Sequence, residues 1–193
     1  MTRIIAGAAR GRRLQVPGGE TTRPTSDRVR EALFSTLESM LDLHGCAVLD
    51  LFAGSGALGL EALSRGASTA TFVERDRRAI AVLRANIEVT QLGPAHVHLG
   101  DVVRVLRTRS AHPCDLVMLD PPYRATSSDV AAALRVALAA GWVAAEAVVV
   151  VERSTRDEET HWPDGLSLVS RRRYGETTLW YLRRCGDHDT VAE

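Results

Sequence analysis

Asp120-Pro121-Pro122-Tyr123 is the stretch of this chain best equipped for chemistry. It follows the apolar run Cys114–Leu119, which reads as a buried strand. A carboxylate, two prolines and an aromatic ring at a strand's C-terminal end suit a flat ring that bears an amine. The prolines fix φ and remove two backbone donors. The Asp120 carboxylate and the Pro121 carbonyl are left as acceptors for an exocyclic NH2. Tyr123 offers a face for stacking, worth roughly 1–3 kcal/mol per base where nucleobases stack on aromatics. An ordinary strand-to-loop turn with a buried tyrosine would use the same residues, so the tetrapeptide alone does not define a site.

A second constellation lies upstream. Val48-Leu49-Asp50-Leu51-Phe52-Ala53-Gly54-Ser55-Gly56-Ala57-Leu58-Gly59 runs from a strand into a helix, and Gly54, Gly56 and Gly59 form a G-x-G-x-x-G. Glu74 ends the next strand, where a ribose hydroxyl would be bound. A nicotinamide or flavin enzyme would show the same spacing. Asp50 opposes that reading, because a carboxylate at the strand's end repels a pyrophosphate. S-adenosyl-L-methionine has no phosphate and carries a cationic ammonium and a sulfonium. Asp50, Gly54 and Gly56 therefore suit its methionine end, with the glycines allowing close backbone approach. Glu74 can accept from the ribose hydroxyls. Asp101 follows the third strand, where it can read an adenine amino group, cap the next helix, or do both.

Methyl transfer from a sulfonium is an in-line displacement, so alignment and exclusion of water carry most of the work. An exocyclic base amine is a poor nucleophile because its lone pair is delocalised into the ring. Hydrogen bonds to Asp120 and the Pro121 carbonyl would orient it and favour pyramidalisation, while Tyr123 held the ring. A base inside a duplex cannot reach such a pocket and must be unpaired or flipped out.

These residues need a scaffold of alternating strands and helices. From Cys46 the pattern predicts strands over 47–52, 69–74, 95–99, 114–120 and 146–152, with helices over 57–65, 76–89, 102–108 and 128–140. This alternation implies a parallel sheet with helices on both faces, and Val148–Val151 reads as a fully buried central strand. Residues 166–174 and 177–184 read as a closing hairpin around Gly175-Glu176. Ahead of this domain, residues 3–7 and 13–16 could pair as a small hairpin. Thr25 or Ser26 could cap a helix running to about Leu43. Its buried face would hold Val29, Leu33, Leu37, Met40 and Leu41, with Arg28, Arg30 and Glu31 mostly off it. The expected division is an N-terminal extension over 1–45, a catalytic domain over 46–185 and a frayed tail over 186–193.

Composition sets limits. A chain of 193 residues with 45% hydrophobic content suffices for one core. Formal net charge is zero and every basic residue is arginine. Seven arginines (Arg3, Arg10, Arg12, Arg13, Arg23, Arg28, Arg30) nevertheless crowd the first thirty residues, and arginine suits phosphate contacts. Arg171-Arg172-Arg173 reads as an exposed strand edge, and Trp142, Trp162 and Trp180 read as packing residues. Cys46, Cys114 and Cys185 have no metal-ligand spacing, so no metal is expected. No signal peptide or membrane-length apolar run is apparent, which points to a cytoplasmic enzyme with no membrane partner, expected as a monomer.

The glycine loop and Asp120-Pro-Pro-Tyr123 resemble those of class I adenosylmethionine-dependent N-methyltransferases. Arg3-Ile-Ile-Ala-Gly7, Arg10-Gly-Arg12, Leu14 and the run Arg23-Pro24-Thr25-x-Asp27-Arg28-Val29-Arg30-Glu31-Ala32-Leu33-Phe34 narrow this to a resemblance to the RsmD family. Tyr174-Gly175-x-Thr177-x-Leu179 fits the family's terminal hairpin. The resemblance covers about residues 3–184. It implies an α/β, Rossmann-like fold with a seven-stranded, mostly parallel sheet whose last strand is antiparallel. It implies cofactor contacts near Asp50, Gly54, Gly56, Glu74 and Asp101, with Asp120, Pro121 and Tyr123 at the reacting base. It also implies guanine N2 of 16S ribosomal RNA as acceptor, in a partly assembled small subunit. Arg10, Arg12, Arg23, Thr25 and Arg28 are the expected RNA contacts. The acceptor groups of the tetrapeptide fit an adenine N6 amine equally well, so a DNA adenine methyltransferase is the first rival, although 193 residues leave no room for a separate target-recognition domain. A non-catalytic ribosome assembly factor that keeps the fold is the second.

Overall fold

The computed structural model describes residues 2–18, 27–110, 112–157 and 160–186. The chain begins with strands β1 (Thr2–Arg3) and β2 (Arg13–Leu14) and helix α1 (Asp27–Leu37). An alternating region follows: β3 (Ala47–Leu51), α2 (Ala57–Ser64), β4 (Thr69–Glu74), α3 (Arg77–Thr90), β5 (Ala95–Leu99), α4 (Val102–Leu106), β6 (Cys114–Leu119), α5 (Ser127–Ala139) and β7 (Val143–Ser154). The hairpin of β8 (Leu166–Tyr174) and β9 (Thr177–Arg184) completes it.

Seven strands form one sheet in the order β5-β4-β3-β6-β7-β9-β8. Strands β3 to β7 pair in parallel, and β9 runs antiparallel between β7 and β8. The expected mostly parallel sheet with an antiparallel last strand is therefore present. Side-chain alternation along each strand feeds two cores. Val48, Phe72, Met118, Val150 and Tyr181 face a cluster built with α1, α2 and α3. Leu49, Val73, Val117, Val149, Trp180 and Leu182 face a second cluster built with α4 and α5. Val148–Val151 are buried, as a strand covered on both faces must be. β7 starts earlier than the apolar run suggests, at Val143, because its pairing with β6 jumps from Cys114↔Val143 to Leu116↔Val148. The intervening residues bulge outward, with Glu146 at φ +59°.

The N-terminal segment differs in detail from its sequence reading. Only Thr2↔Leu14 and Arg3↔Arg13 pair as strands. Residues between them fold back across α2, and Gly7, at φ +80°, lies so close that a Cβ there would sit 1.7 Å from the Ser64 carbonyl oxygen. α1 ends at Leu37 rather than Leu43. Its last turn tightens into Ser39 N–H to Thr36 O and Met40 N–H to Leu37 O bonds, and Arg183 caps the Met40 carbonyl at 3.0 Å. Arg30 corrects the expectation that it lies off the buried face, because it is 1% exposed. The β1–β2 hairpin covers that side of α1, and the Arg30 guanidinium donates to Thr2 Oγ1, the Arg3 carbonyl and Asp27 Oδ1.

Candidate active site

Strand order fixes where the site can be. The chain leaves β3 toward β4 and β5 on one side, and β6 and β7 build the other side. The β3–β6 boundary is thus the topological switch point, where open α/β sheets bind ligands beyond the strands' C-terminal ends. Leu51 pairs with Leu119, so the loop after β3 and the Asp120 segment after β6 emerge side by side.

The glycine loop is held in an uncommon shape. Phe52 lies at φ +63°, Gly54 at +55° and Gly56 at +80°. A phenylalanine with positive φ is a true outlier, and such strain collects at functional turns. At Gly54 a Cβ would meet only the Phe52 carbonyl oxygen, at 3.9 Å, so a ligand can approach the backbone there. Gly59 has another role: a Cβ would stand 2.3 Å from the Phe72 ring, so this glycine lets α2 lie close on β4.

The carboxylates fall at different depths. Glu74 Oε2 accepts the Gly54 N–H at 2.9 Å, and Oε1 accepts from Arg75 and Asp76 N–H at 2.7 and 2.8 Å. These bonds fix Glu74 beside the loop at the end of β4, and an ionised carboxylate has further lone pairs for ribose hydroxyls. Asp101 is exposed and caps α4, accepting the Arg104 N–H at 3.1 Å. Asp50 is 1% exposed and lies beneath the loop, where Oδ2 accepts the Gly59 N–H at 2.9 Å. Burial pushes its carboxyl up to about 8; Glu74 pushes the same way and the Gly59 N–H opposes. Asp50 therefore occupies one of the α2 N-terminal donors on which a pyrophosphate would rely. That donor set fits a cationic, phosphate-free cofactor better than a dinucleotide.

Across the switch point, Asp120 is half-buried and Pro121 buried. Tyr123 is 66% exposed, which removes the reading of a turn built around a buried tyrosine. The segment is braced from behind. Ala125 N–H bonds the Pro122 carbonyl at 2.8 Å, and Thr126 with Asp129 forms a capping box on α5. Arg153, buried at the end of β7, donates to the Ala125 carbonyl at 2.8 Å and pairs with Asp157 at 2.9 Å. An aromatic ring is thus presented to solvent on a hydrogen-bonded turn.

Among the expected RNA contacts, Arg10, Arg12 and Arg28 are exposed. Arg10 and Arg3 line a cavity with Ile4, Ile5, Gly11, Asp27 and Glu31. Arg12 Nη1 donates to the Val89 carbonyl at 2.9 Å. Arg23 and Thr25 lie outside the described residues. Arg171–Arg173 are exposed on β8, an edge strand, with Arg171 stacked 5.0 Å over Trp180. Trp142 and Trp180 are buried in packing roles.

The sequence reading passed over the buried polar groups that join the N-terminal segment to this frame. Glu61 on α2 is 0% exposed. It accepts N–H groups from Ile5 and Ala6 at 2.7 and 3.0 Å and pairs with Arg65 at 2.9 Å and Arg30 at 3.8 Å. Ser64 Oγ accepts the Ala9 N–H at 3.0 Å, and Asn86 bonds both backbone groups of Gln15. A lone glutamate in the apolar helix Ala57–Ser64 was the available signal for Glu61. Among the described residues no helix is long and apolar enough to cross a membrane. Among them no cluster of His, Cys, Asp and Glu stands where it could hold a metal ion.

The chain is similar to known proteins along nearly its whole length. A family model described as Conserved hypothetical protein 95 matches residues 2–183. Ribosomal RNA small subunit methyltransferase D of Escherichia coli K12 is 38% identical over 191 residues, spanning 99% of this chain and 94% of that protein. The protein of the same name in Haemophilus influenzae is 36% identical over 176 residues, 90% of this chain and 89% of that one. The solved structure of yhhF from Escherichia coli superposes with a TM-score of 0.84 at 36% identity, covering 96% of this chain and 99% of that one.

Proposed function

The chain belongs to the RsmD family, and from that premise we propose that it transfers a methyl group from S-adenosyl-L-methionine to the exocyclic N2 amine of a guanine in 16S ribosomal RNA, within an assembled or partly assembled small subunit. The observation that carries this reading is the switch point, where a strained glycine loop and Asp120-Pro-Pro-Tyr123 emerge from adjacent strands. The names of the Escherichia coli and Haemophilus influenzae relatives supply the ribosomal substrate class.

Bound at this loop, S-adenosyl-L-methionine supplies an electrophilic methyl on a sulfonium. The chain's own residues do the remaining work. Glu74 holds the ribose, Asp101 reads the adenine edge, and the Gly54 and Gly56 backbone lies against the methionine end. Asp50, beneath them, supplies a negative charge that the cofactor's ammonium stabilises. Asp120 and the Pro121 carbonyl accept from the guanine N2 hydrogens and turn the lone pair toward the methyl. Tyr123 stacks on a base that has been unpaired or flipped out. A strong base is unnecessary, because the amine loses its proton after the new C–N bond has formed. Residues 1–45, with Arg10, Arg12, Arg23, Thr25 and Arg28, form the RNA-contacting extension to the domain over 46–185. On this reading the protein is cytoplasmic and works as a monomer.

The test is transfer of a labelled methyl from S-adenosyl-L-methionine to hypomethylated small subunits, naked ribosomal RNA and duplex DNA. Label is expected on the subunits, more weakly on naked RNA and not on DNA. Label on DNA alone, or on none of the three, would refute the proposal.

A further inference from the structure

Asn86 is a buried amide on α3, 1% exposed, whose bonds run to two places that the proposed function keeps apart. Its Nδ2 donates to the Gln15 carbonyl and to the Ser55 carbonyl, each at 2.9 Å. Its Oδ1 accepts the Gln15 N–H at 2.8 Å. Ser55 is the middle of the glycine loop, flanked by Gly54 and Gly56. Gln15 belongs to the N-terminal arm, just ahead of the Arg23–Arg28 run. The bonds that tie residues 5–12 of the arm to α2 and α3 end on Glu61, Ser64 and Val89. Of these tethers, Asn86 alone also reaches the loop.

An amide group is planar, so its two donors and its acceptor move together. A shift of the Ser55 carbonyl cannot be followed by Asn86 without disturbing both bonds to Gln15. Burial of the Asn86 amide makes that disturbance expensive, because a side-chain N–H or oxygen that loses its partner away from water bears its full desolvation penalty. A ligand that fixes the loop therefore also fixes the root of the arm, and a ligand that fixes the arm leaves less of the loop to order. Coupling of this kind is reciprocal by thermodynamic necessity.

Resting on the function proposed above, we infer that Asn86 is a positioning residue that couples the two substrates: cofactor on the glycine loop tightens RNA binding by the arm, and RNA tightens cofactor binding by the same factor. The experiment measures the Kd of hypomethylated small subunits for the full chain with and without saturating S-adenosylhomocysteine, and the Kd of S-adenosylhomocysteine with and without the subunits. The wild type is expected to show a factor of about five or more in both directions. Asn86→Asp keeps the side chain's shape but deletes the donor to Ser55 and Gln15, and its factor should fall to about one. Gln15→Pro deletes the N–H on the arm side but keeps the carbonyl that Asn86 Nδ2 bonds, so it should lower the factor part of the way toward one; it serves if Asn86→Asp does not fold, and a factor unchanged in it overturns the inference. A purely structural Asn86 would weaken both ligands and leave the factor at its wild-type value, and that result overturns the inference. A wild type that methylates subunits yet shows a factor of one overturns it too, while leaving the proposed function standing. A wild type that transfers no methyl group overturns the function itself.

Discussion

Asp50 and Asp120 are both carboxylates associated with the ends of adjacent parallel strands, yet burial gives them different work. Asp50 is sealed under the glycine loop with its carboxyl raised to about 8, whereas Asp120 is half-buried at the mouth of the site. Raising a carboxyl above its unfolded value near 4 stabilises the fold at low pH, and that contribution drains away as pH climbs through about 8. Asp50→Asn retains an oxygen for the Gly59 N–H but cannot ionise. Its thermal midpoint should match wild type near pH 4 and exceed it by several degrees at pH 8, in melts without cofactor; equal midpoints at both pH values would contradict the burial argument. Cofactor binding to wild type at pH 7 should release protons, readable by calorimetry in two buffers, because an ammonium overhead favours the ionised carboxyl. Asp120→Ala should lower methyl transfer by about 10²–10³-fold, the scale seen when a positioned hydrogen-bond partner is removed from a reacting centre. S-adenosylhomocysteine binding should largely survive, and unchanged turnover would refute the role. Tyr123→Ala should cost roughly 1–3 kcal/mol of stacking, seen mainly in KM for RNA.

At the level of elements, the alternating strands and helices were legible because each carried its own period and punctuation. β4, β5, β8 and β9 have the bounds that the pattern predicts. The misreadings have one cause. The buried side of α1 depends on what the N-terminal hairpin covers, and no local period reports that, so the period places Arg30 mostly off the buried face although it is 1% exposed. The bulge in β7 is hidden for a similar reason, since the pattern predicts a strand only from residue 146, and the earlier start at Val143 shows only where β6 pairs on both sides of the bulge. Glu61 makes the hidden joint testable. Its removal strands two N–H groups and takes one of two carboxylate partners from each of two buried arginines, leaving Arg30 with Asp27 and Arg65 with Glu38. Glu61→Ala should destabilise the protein by about 3–5 kcal/mol in urea unfolding, the range for breaking a buried pair. Glu61→Gln, which preserves acceptor oxygen, should lose less. A Glu61→Ala loss within about 0.5 kcal/mol of zero, the range of surface changes, would show that the joint contributes little.

Over the whole molecule, zero net charge conceals an uneven distribution, with arginines gathered in the N-terminal segment. If those arginines meet phosphates, RNA affinity should fall with salt at a log–log slope of about −2 or steeper, corresponding to three or more contacts. A flat response would remove the arm from the RNA interface. The sequence alternation implied a parallel sheet but not its strand order, and only the order brings the glycine loop beside Asp120. The same limit applies to the acceptor: Asp120 and the Pro121 carbonyl would receive either a guanine or an adenine amine, and the guanine of the proposed function rests on the family resemblance. The central claim is tested most directly by digesting small subunits that the enzyme has labelled from S-adenosyl-L-methionine and identifying the modified nucleoside. The account predicts N2-methylguanosine from 16S ribosomal RNA. Label recovered as N6-methyladenosine, or no label at all, would contradict it.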